Sequence, residues 1–165
     1  MPLYGEQYDA LDDAAEAALY QLSKQPRLAE QEYIAMLVRN LAGKYQRSEF
    51  QTQGTKDRSE FVGTPDGEMA GQVHNHTPNS PGDRYPNTSF SPLDIAATEG
   101  KYPNYILAVG SGKQLKSPLQ GEEAVPGQEY LAQIPIKEIK QRIARSVQAM
   151  KSGPEVKARL MQPLL

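Results

Sequence analysis

The stretch that decides the fold is Gly71–Pro78, which reads Gly-Gln-Val-His-Asn-His-Thr-Pro. It holds both histidines of the 165-residue chain, His74 and His76, directly after a short apolar lead-in. Side chains two residues apart on a β-strand point to the same face of the sheet. We therefore predict a strand over residues 72–76 that presents both imidazoles on one side.

Hydrophobic patterns on either side of this strand predict the other elements. Apolar residues recur with the 3.6-residue period of a helix over 9–24 and again over 135–151. Short apolar or alternating runs predict strands over 33–38, 44–52, 104–109 and 113–119, with turns at 40–43 and 110–112. A serine N-cap followed by proline predicts a short helix over 91–97. This order predicts an α/β (α+β) fold, with a small, mainly antiparallel or mixed sheet flanked by helices.

Composition excludes several classes of protein. The net charge of -2 gives no electrostatic reason to bind nucleic acid, and no apolar run approaches the roughly 20 residues that a membrane span needs. Without cysteine the chain has no disulfide and no thiolate metal site. Zinc deaminases use cysteine ligands, so that activity is also disfavoured. The first residues lack the basic and apolar regions of a signal peptide.

The two histidines and a downstream aspartate have the spacing of a metal site. Zn²⁺ prefers nitrogen and oxygen ligands when thiolates are lacking, and a catalytic zinc site takes three ligands from the protein. His74 and His76 supply two, and Asp94 on the predicted 91–97 helix is the expected third. Asp83, in the loop before that helix, is the alternative third ligand. Two solvent-exposed histidines without a metal would give the same pattern.

The order of these motifs resembles a known family. His74–Pro78 followed by Ser91-Pro92-Leu93-Asp94 is similar to the JAMM motif of the JAB/MPN metalloproteases, which consists of an upstream Glu, then His-x-His-Pro, then Ser-x-x-Asp. The likeness is greatest to the JAB-like branch of bacterial polymorphic toxins and effectors, with Glu32-Tyr33 before an apolar strand and then Gly43-Lys44-Tyr45. Two departures are the intervening Thr77 and a longer gap before the aspartate.

The resemblance implies a fold and a function. It implies one domain over residues 1–165 with JAB/MPN-like (cytidine-deaminase-like) architecture, a core at about 9–120 and a C-terminal helical segment at about 135–165. The implied activity is zinc-dependent hydrolysis of a peptide or isopeptide bond. His74, His76 and Asp94 would bind Zn²⁺, Glu32 would be the general base, and Ser91 would donate a hydrogen bond to the oxyanion.

The same resemblance implies a biological setting. The chain would be a bacterial toxin or effector domain, made in the cytoplasm and secreted without a signal peptide to act in a target cell. Its partners would be a protein or peptide substrate and a cognate immunity or chaperone protein.

Alternatives exist for several of these roles. Glu30, Glu49 and Glu60 compete with Glu32, and Ser89 competes with Ser91, which would also serve as an N-cap. Four aromatic residues are predicted near the site as groove or core residues: Tyr85, Phe90, Tyr102 and Tyr105. The alternative functions are an inactive JAB-like protein-binding module and a hydrolase of a non-protein amide such as a cell-wall bond.

Overall fold

The predicted histidine strand lies near the centre of a six-stranded sheet in the computed structural model, which describes residues 1–81, 87, 88, 90, 94, 98 and 101–117. The elements are β1 (Tyr4–Tyr8), α1 (Leu11–Leu22), β2 (Ile34–Arg39), β3 (Tyr45–Arg47), β4 (Glu68–His76), β5 (Asn104–Ala108) and β6 (Lys113–Lys116). Their order across the sheet is β1-β3-β2-β4-β5-β6. The predicted α+β fold with a mixed sheet is confirmed for this part of the chain.

β4 has a different kind of neighbour on each side. It is antiparallel to β2, with Ile34 opposite His74, and parallel to β5, with Ile106 opposite His74. The other neighbouring strands pair antiparallel, including the predicted β2–β3 and β5–β6 hairpins. Parallel neighbours require a long crossover connection, and residues 77–103 provide it. The connection contains Asp94, which lies beside the two histidines at the end of β4.

One face of the sheet packs against α1. The predicted apolar side of this helix is confirmed, since Ala15, Ala18, Leu19 and Leu22 are all buried. They form one core cluster with sheet residues that alternate toward the helix, namely Ala35, Leu37, Val73, Tyr105 and Leu107. We call this side of the sheet the α1 face. His74 and His76 lie on the opposite side of β4.

Two elements differ from the sequence prediction. The strand expected over 44–52 is only Tyr45–Arg47, because the Ser48 hydroxyl accepts the Met36 N–H and interrupts the backbone ladder. The chain rejoins β2 as a single bridge between Gln51 and Ile34. Strand β1 was not predicted, since its residues are mostly exposed and lack an apolar alternation.

Turn chemistry sets where β4 begins. The sequence Thr-Pro-Asp-Gly, typical of a turn, ends at Gly67, which has a φ of +128° and directly precedes β4. A Cβ atom on Gly67 would lie 2.5 Å from the carbonyl oxygen of Arg39. Only glycine combines this backbone conformation with so close an approach. The turn therefore contributes to the register of β4 against β2.

Several predicted elements fall beyond the described residues. The helix over 135–151 and the C-terminal segment at about 135–165 lie outside them, as does most of the predicted 91–97 helix. Within that helix Asp94 is described, and it is helical. Across the described ranges, no helix has the length and apolar character to span a bilayer.

Candidate metal centre

Three side chains, two of them buried and that of His76 partly buried, converge at the end of β4 on the face opposite α1. Alternation along the strand places His74 and His76 on one side. Glu32 lies two residues before Ile34, which pairs with His74, so Glu32 comes to the same side. The ligand atoms of Glu32, His74 and His76 all lie within 4.8 Å of one another. This cluster could hold a metal ion.

Asp94 completes the cluster from the crossover connection. Nε2 of His74 lies 3.2 Å from Oδ1 of Asp94, and Nε2 of His76 lies 3.2 Å from Oδ2. The two Nε2 atoms are 3.0 Å apart. In a tetrahedral zinc site with bonds of about 2.0 Å, neighbouring ligand atoms lie roughly 3.3 Å apart. The three side chains therefore have close to the separations that one such ion requires.

The other ring nitrogen of His74 is held by Asn104. The Asn104 side-chain NH₂ donates to the carbonyl oxygen of Asp94 at 3.1 Å, so its Oδ1 faces His74. Nδ1 of His74 donates to that oxygen at 2.9 Å. In a neutral imidazole the proton is then on Nδ1, and Nε2 carries a lone pair. Asn104 thus holds the His74 ring and the backbone of Asp94 at once.

His76 is oriented in the same way by the backbone of Asn87. Nδ1 of His76 donates to the Asn87 carbonyl oxygen at 3.0 Å, and a carbonyl can only accept. Asn87 is itself fixed, because its side-chain NH₂ donates to the carbonyls of Thr77 and Val109. Nε2 of neutral His76 therefore also carries a lone pair toward the cluster. Metal-binding histidines are typically held by such second partners.

Electrostatics require a positive charge among these groups. Two lone pairs and a carboxylate within 3.2 Å repel one another unless a proton or a cation lies between them. Burial lowers the pKa of His74. Burial also opposes charge on His76, but Asp94, Glu32 and the Asn87 carbonyl together raise the pKa of His76. Despite burial, the two imidazoles hold the pKa of Asp94 well below its usual range.

Glu32 is a buried carboxyl beside these three residues. Its residue is 6 % exposed, and burial raises the pKa of Glu32 to about 8, with the charges of Asp94 and Asp57 acting in the same direction. Its backbone N–H donates to Thr55, and its carbonyl accepts from the Thr52 hydroxyl at 2.6 Å. The backbone of Glu32 is thus held on both sides of its side chain.

The structure distinguishes some of the sequence candidates. Glu32 belongs to the cluster, whereas Glu30 forms an ion pair with Arg27. Of the two predicted roles for Tyr105, the structure confirms core packing and not a groove: Tyr105 pairs with Val73, belongs to the core cluster on the α1 face and donates to Asp12. Other candidates lie outside the described residues, namely Asp83, Tyr85, Ser89 and Ser91.

Sequence reasoning missed Asn87 and Asn104. Asn104 is fully buried at the start of an otherwise apolar strand, and a buried amide in that position is itself a signal of a hydrogen-bonded site. Asn87 acts through its backbone carbonyl, which no residue type reveals.

No family model, curated protein or solved structure matches this chain. The interpretation of the site therefore depends on its own geometry and on the motif order.

Proposed function

We propose that this protein is a zinc-dependent amide hydrolase of the JAB/MPN type, which cuts a peptide or isopeptide bond. One observation carries the proposal. The Nε2 atoms of His74 and His76 and the carboxylate of Asp94 lie within 3.2 Å of one another, with the buried Glu32 carboxyl beside them. The motif order His-x-His and then Ser-x-x-Asp, with Glu32 upstream, supports the same assignment.

The donor set favours zinc over Ca²⁺ and Mg²⁺. Two imidazoles and one carboxylate form a three-ligand set typical of catalytic zinc, whereas Ca²⁺ and Mg²⁺ prefer all-oxygen sites. Both imidazoles are held by hydrogen bonds at Nδ1, so each presents Nε2. Zinc in such a site acts as a Lewis acid and makes water nucleophilic at neutral pH.

Glu32 would move the proton. Its carboxylate oxygen would accept a proton from the attacking water as the water oxygen bonds to the amide carbon. It would then deliver that proton to the amide nitrogen as the carbon–nitrogen bond breaks, which yields a carboxylic acid and an amine. A bound cation lowers the pKa of a nearby carboxyl. We therefore expect the working pKa of Glu32 to lie below the value of about 8 caused by burial.

The JAB-like resemblance supports a protein substrate and an effector role. By that resemblance, Ser91 would donate a hydrogen bond to the developing oxyanion. It also supports a cognate immunity or chaperone protein as a partner. These assignments depend on the motif order, and the experiment below tests the chemistry that they share.

The first experiment is a measurement of bound metal. Protein purified without chelator should contain about one zinc per chain by elemental analysis, and His76→Ala should contain none. The zinc-loaded protein is then incubated with peptide, ubiquitin-like isopeptide and peptidoglycan substrates. Absence of zinc after adding it back would overturn the hydrolase proposal and favour an inactive JAB-like binding module. Cleavage of peptidoglycan alone would assign the same chemistry to a cell-wall amide.

A further inference from the structure

Asn75 lies between the two histidines and faces the opposite way. It is fully buried, and none of its partners belongs to the metal cluster. Its Oδ1 accepts the backbone N–H of Tyr33 at 2.7 Å. Its NH₂ group donates to the carbonyl oxygens of Leu28 and Gln31, both at 3.0 Å. Because only the amide oxygen can accept from Tyr33, this orientation of the side chain is fixed by its partners.

These partners flank Glu32 on both sides. The β2–β4 ladder runs only to Ile34 opposite His74, and the segment before Ile34 leaves the sheet. Beyond Ile34, the side-chain oxygen of Asn75 accepts the Tyr33 N–H. A backbone carbonyl of β4 would accept this N–H if the ladder continued. Gln31 and Tyr33 are both bonded to it, so Glu32 sits between two residues tied to the histidine strand.

We infer that Asn75 is a positioning residue that sets the place of the Glu32 carboxyl relative to His74 and His76. This inference rests on the proposed function, in which Glu32 carries the proton. The three groups are linked through β4, since Asn75 lies between the two histidines and bonds to the backbones of Gln31 and Tyr33 on either side of Glu32. A displacement of about 1 Å between a proton-transfer group and its site can reduce a rate about 100-fold.

The test compares Asn75→Ala with Leu107→Ala in the full-length, zinc-loaded chain. Leu107 is fully buried and lies directly opposite Asn75 on β5, so it controls for general packing at this place. For Asn75→Ala we expect kcat to fall about 100-fold, while KM and zinc affinity stay within about threefold of the original protein. For Leu107→Ala we expect kcat to stay within about threefold.

Three results would overturn the inference. They are an unchanged kcat in Asn75→Ala, an equal loss in Leu107→Ala, and a zinc affinity that falls in proportion to kcat. If Asn75→Ala does not fold, Asn75→Ser replaces it under the same criteria. A serine hydroxyl can accept from Tyr33, but it cannot donate to both carbonyls.

A second readout is independent of hydrolysis. Amide hydrogen exchange at Tyr33 should become faster in Asn75→Ala, while exchange at Ile34, which donates to Gln51, should keep its rate relative to β4. If the original protein cleaves no substrate, the proposed function fails and this comparison still decides whether Asn75 holds the Glu32 segment. Unchanged exchange at Tyr33 would overturn the inference even in an active enzyme.

Discussion

The two faces of β4 bury different kinds of side chain. On the α1 face, Val73 packs with Leu19 and Leu37, and burial of apolar surface stabilises the fold by about 25 cal/mol per Å². On the opposite face, which we call the site face, His74 and His76 lie with Glu32 and Asp94. There burial opposes charge and shifts pKa values. The comparison separates a face that buries apolar side chains from one that brings titratable side chains together.

The largest expected effect is on the site face. His74→Ala removes a proposed ligand, so we expect loss of the bound zinc and of all hydrolysis, as measured by elemental analysis and substrate cleavage. Gln72→Ala is the control, because Gln72 is also buried and lies two residues earlier on the same face of β4. Zinc retained in His74→Ala would contradict the metal assignment.

Glu32→Gln separates chemistry from metal binding. Loss of the general base should lower kcat about 1,000-fold, while about one zinc per chain remains. Glu30→Gln is the matched control, since Glu30 lies two residues away and pairs with Arg27. Full activity in a zinc-loaded Glu32→Gln protein would remove Glu32 from the mechanism.

Ionisation of Glu32 should also make the stability of the metal-free protein depend on pH. The pKa of Glu32 is raised by burial from 4.5 to about 8, so its contribution to stability is complete below about pH 4.5 and is lost progressively as pH rises to 8. Relative to Glu32→Gln, the original protein should lose roughly 3 kcal/mol between about pH 5 and about pH 8. Urea unfolding in the presence of a chelator measures this difference at each pH. If the free energy of unfolding had the same pH dependence in both proteins, burial would not shift the pKa of this carboxyl.

A substitution on the α1 face should affect the fold and leave the site unchanged. Leu19→Ala leaves a cavity beneath the sheet and should lower the free energy of unfolding by about 3 kcal/mol. Zinc affinity in the folded protein should not change. Leu41→Ala is the control, because Leu41 is fully exposed. If Leu19→Ala weakened zinc binding as much as it weakened folding, the two faces would not act separately.

The smallest expected effect concerns the residues that orient the ligands. Asn104→Ala removes the acceptor for Nδ1 of His74 and should weaken zinc binding about 10- to 100-fold. Competition with a chelator of known affinity measures this. Ser117→Ala is the control, since its hydroxyl accepts from the Asn104 backbone without reaching the site. Equal affinities in both variants would leave Asn104 with a structural role only.

Local patterns were sufficient to predict much of the fold. Helix α1, strands β2, β4 and β5 and the two hairpins follow from hydrophobic period and turn residues, because those signals lie within short segments. Strand β1 and the parallel pairing of β4 with β5 did not follow. The choice of a neighbouring strand depends on contacts between segments that are distant along the chain.

The sequence by itself determined that His74 and His76 share one face, since the two-residue period of a strand allows nothing else. It also excluded thiolate ligands and suggested Glu32 through the motif order. Only the tertiary structure brought Asp94 within 3.2 Å of both imidazoles and revealed the roles of Asn75, Asn87 and Asn104. A hydrogen-bond partner is chosen by where the folded backbone places donors and acceptors, and three asparagines look alike in a sequence.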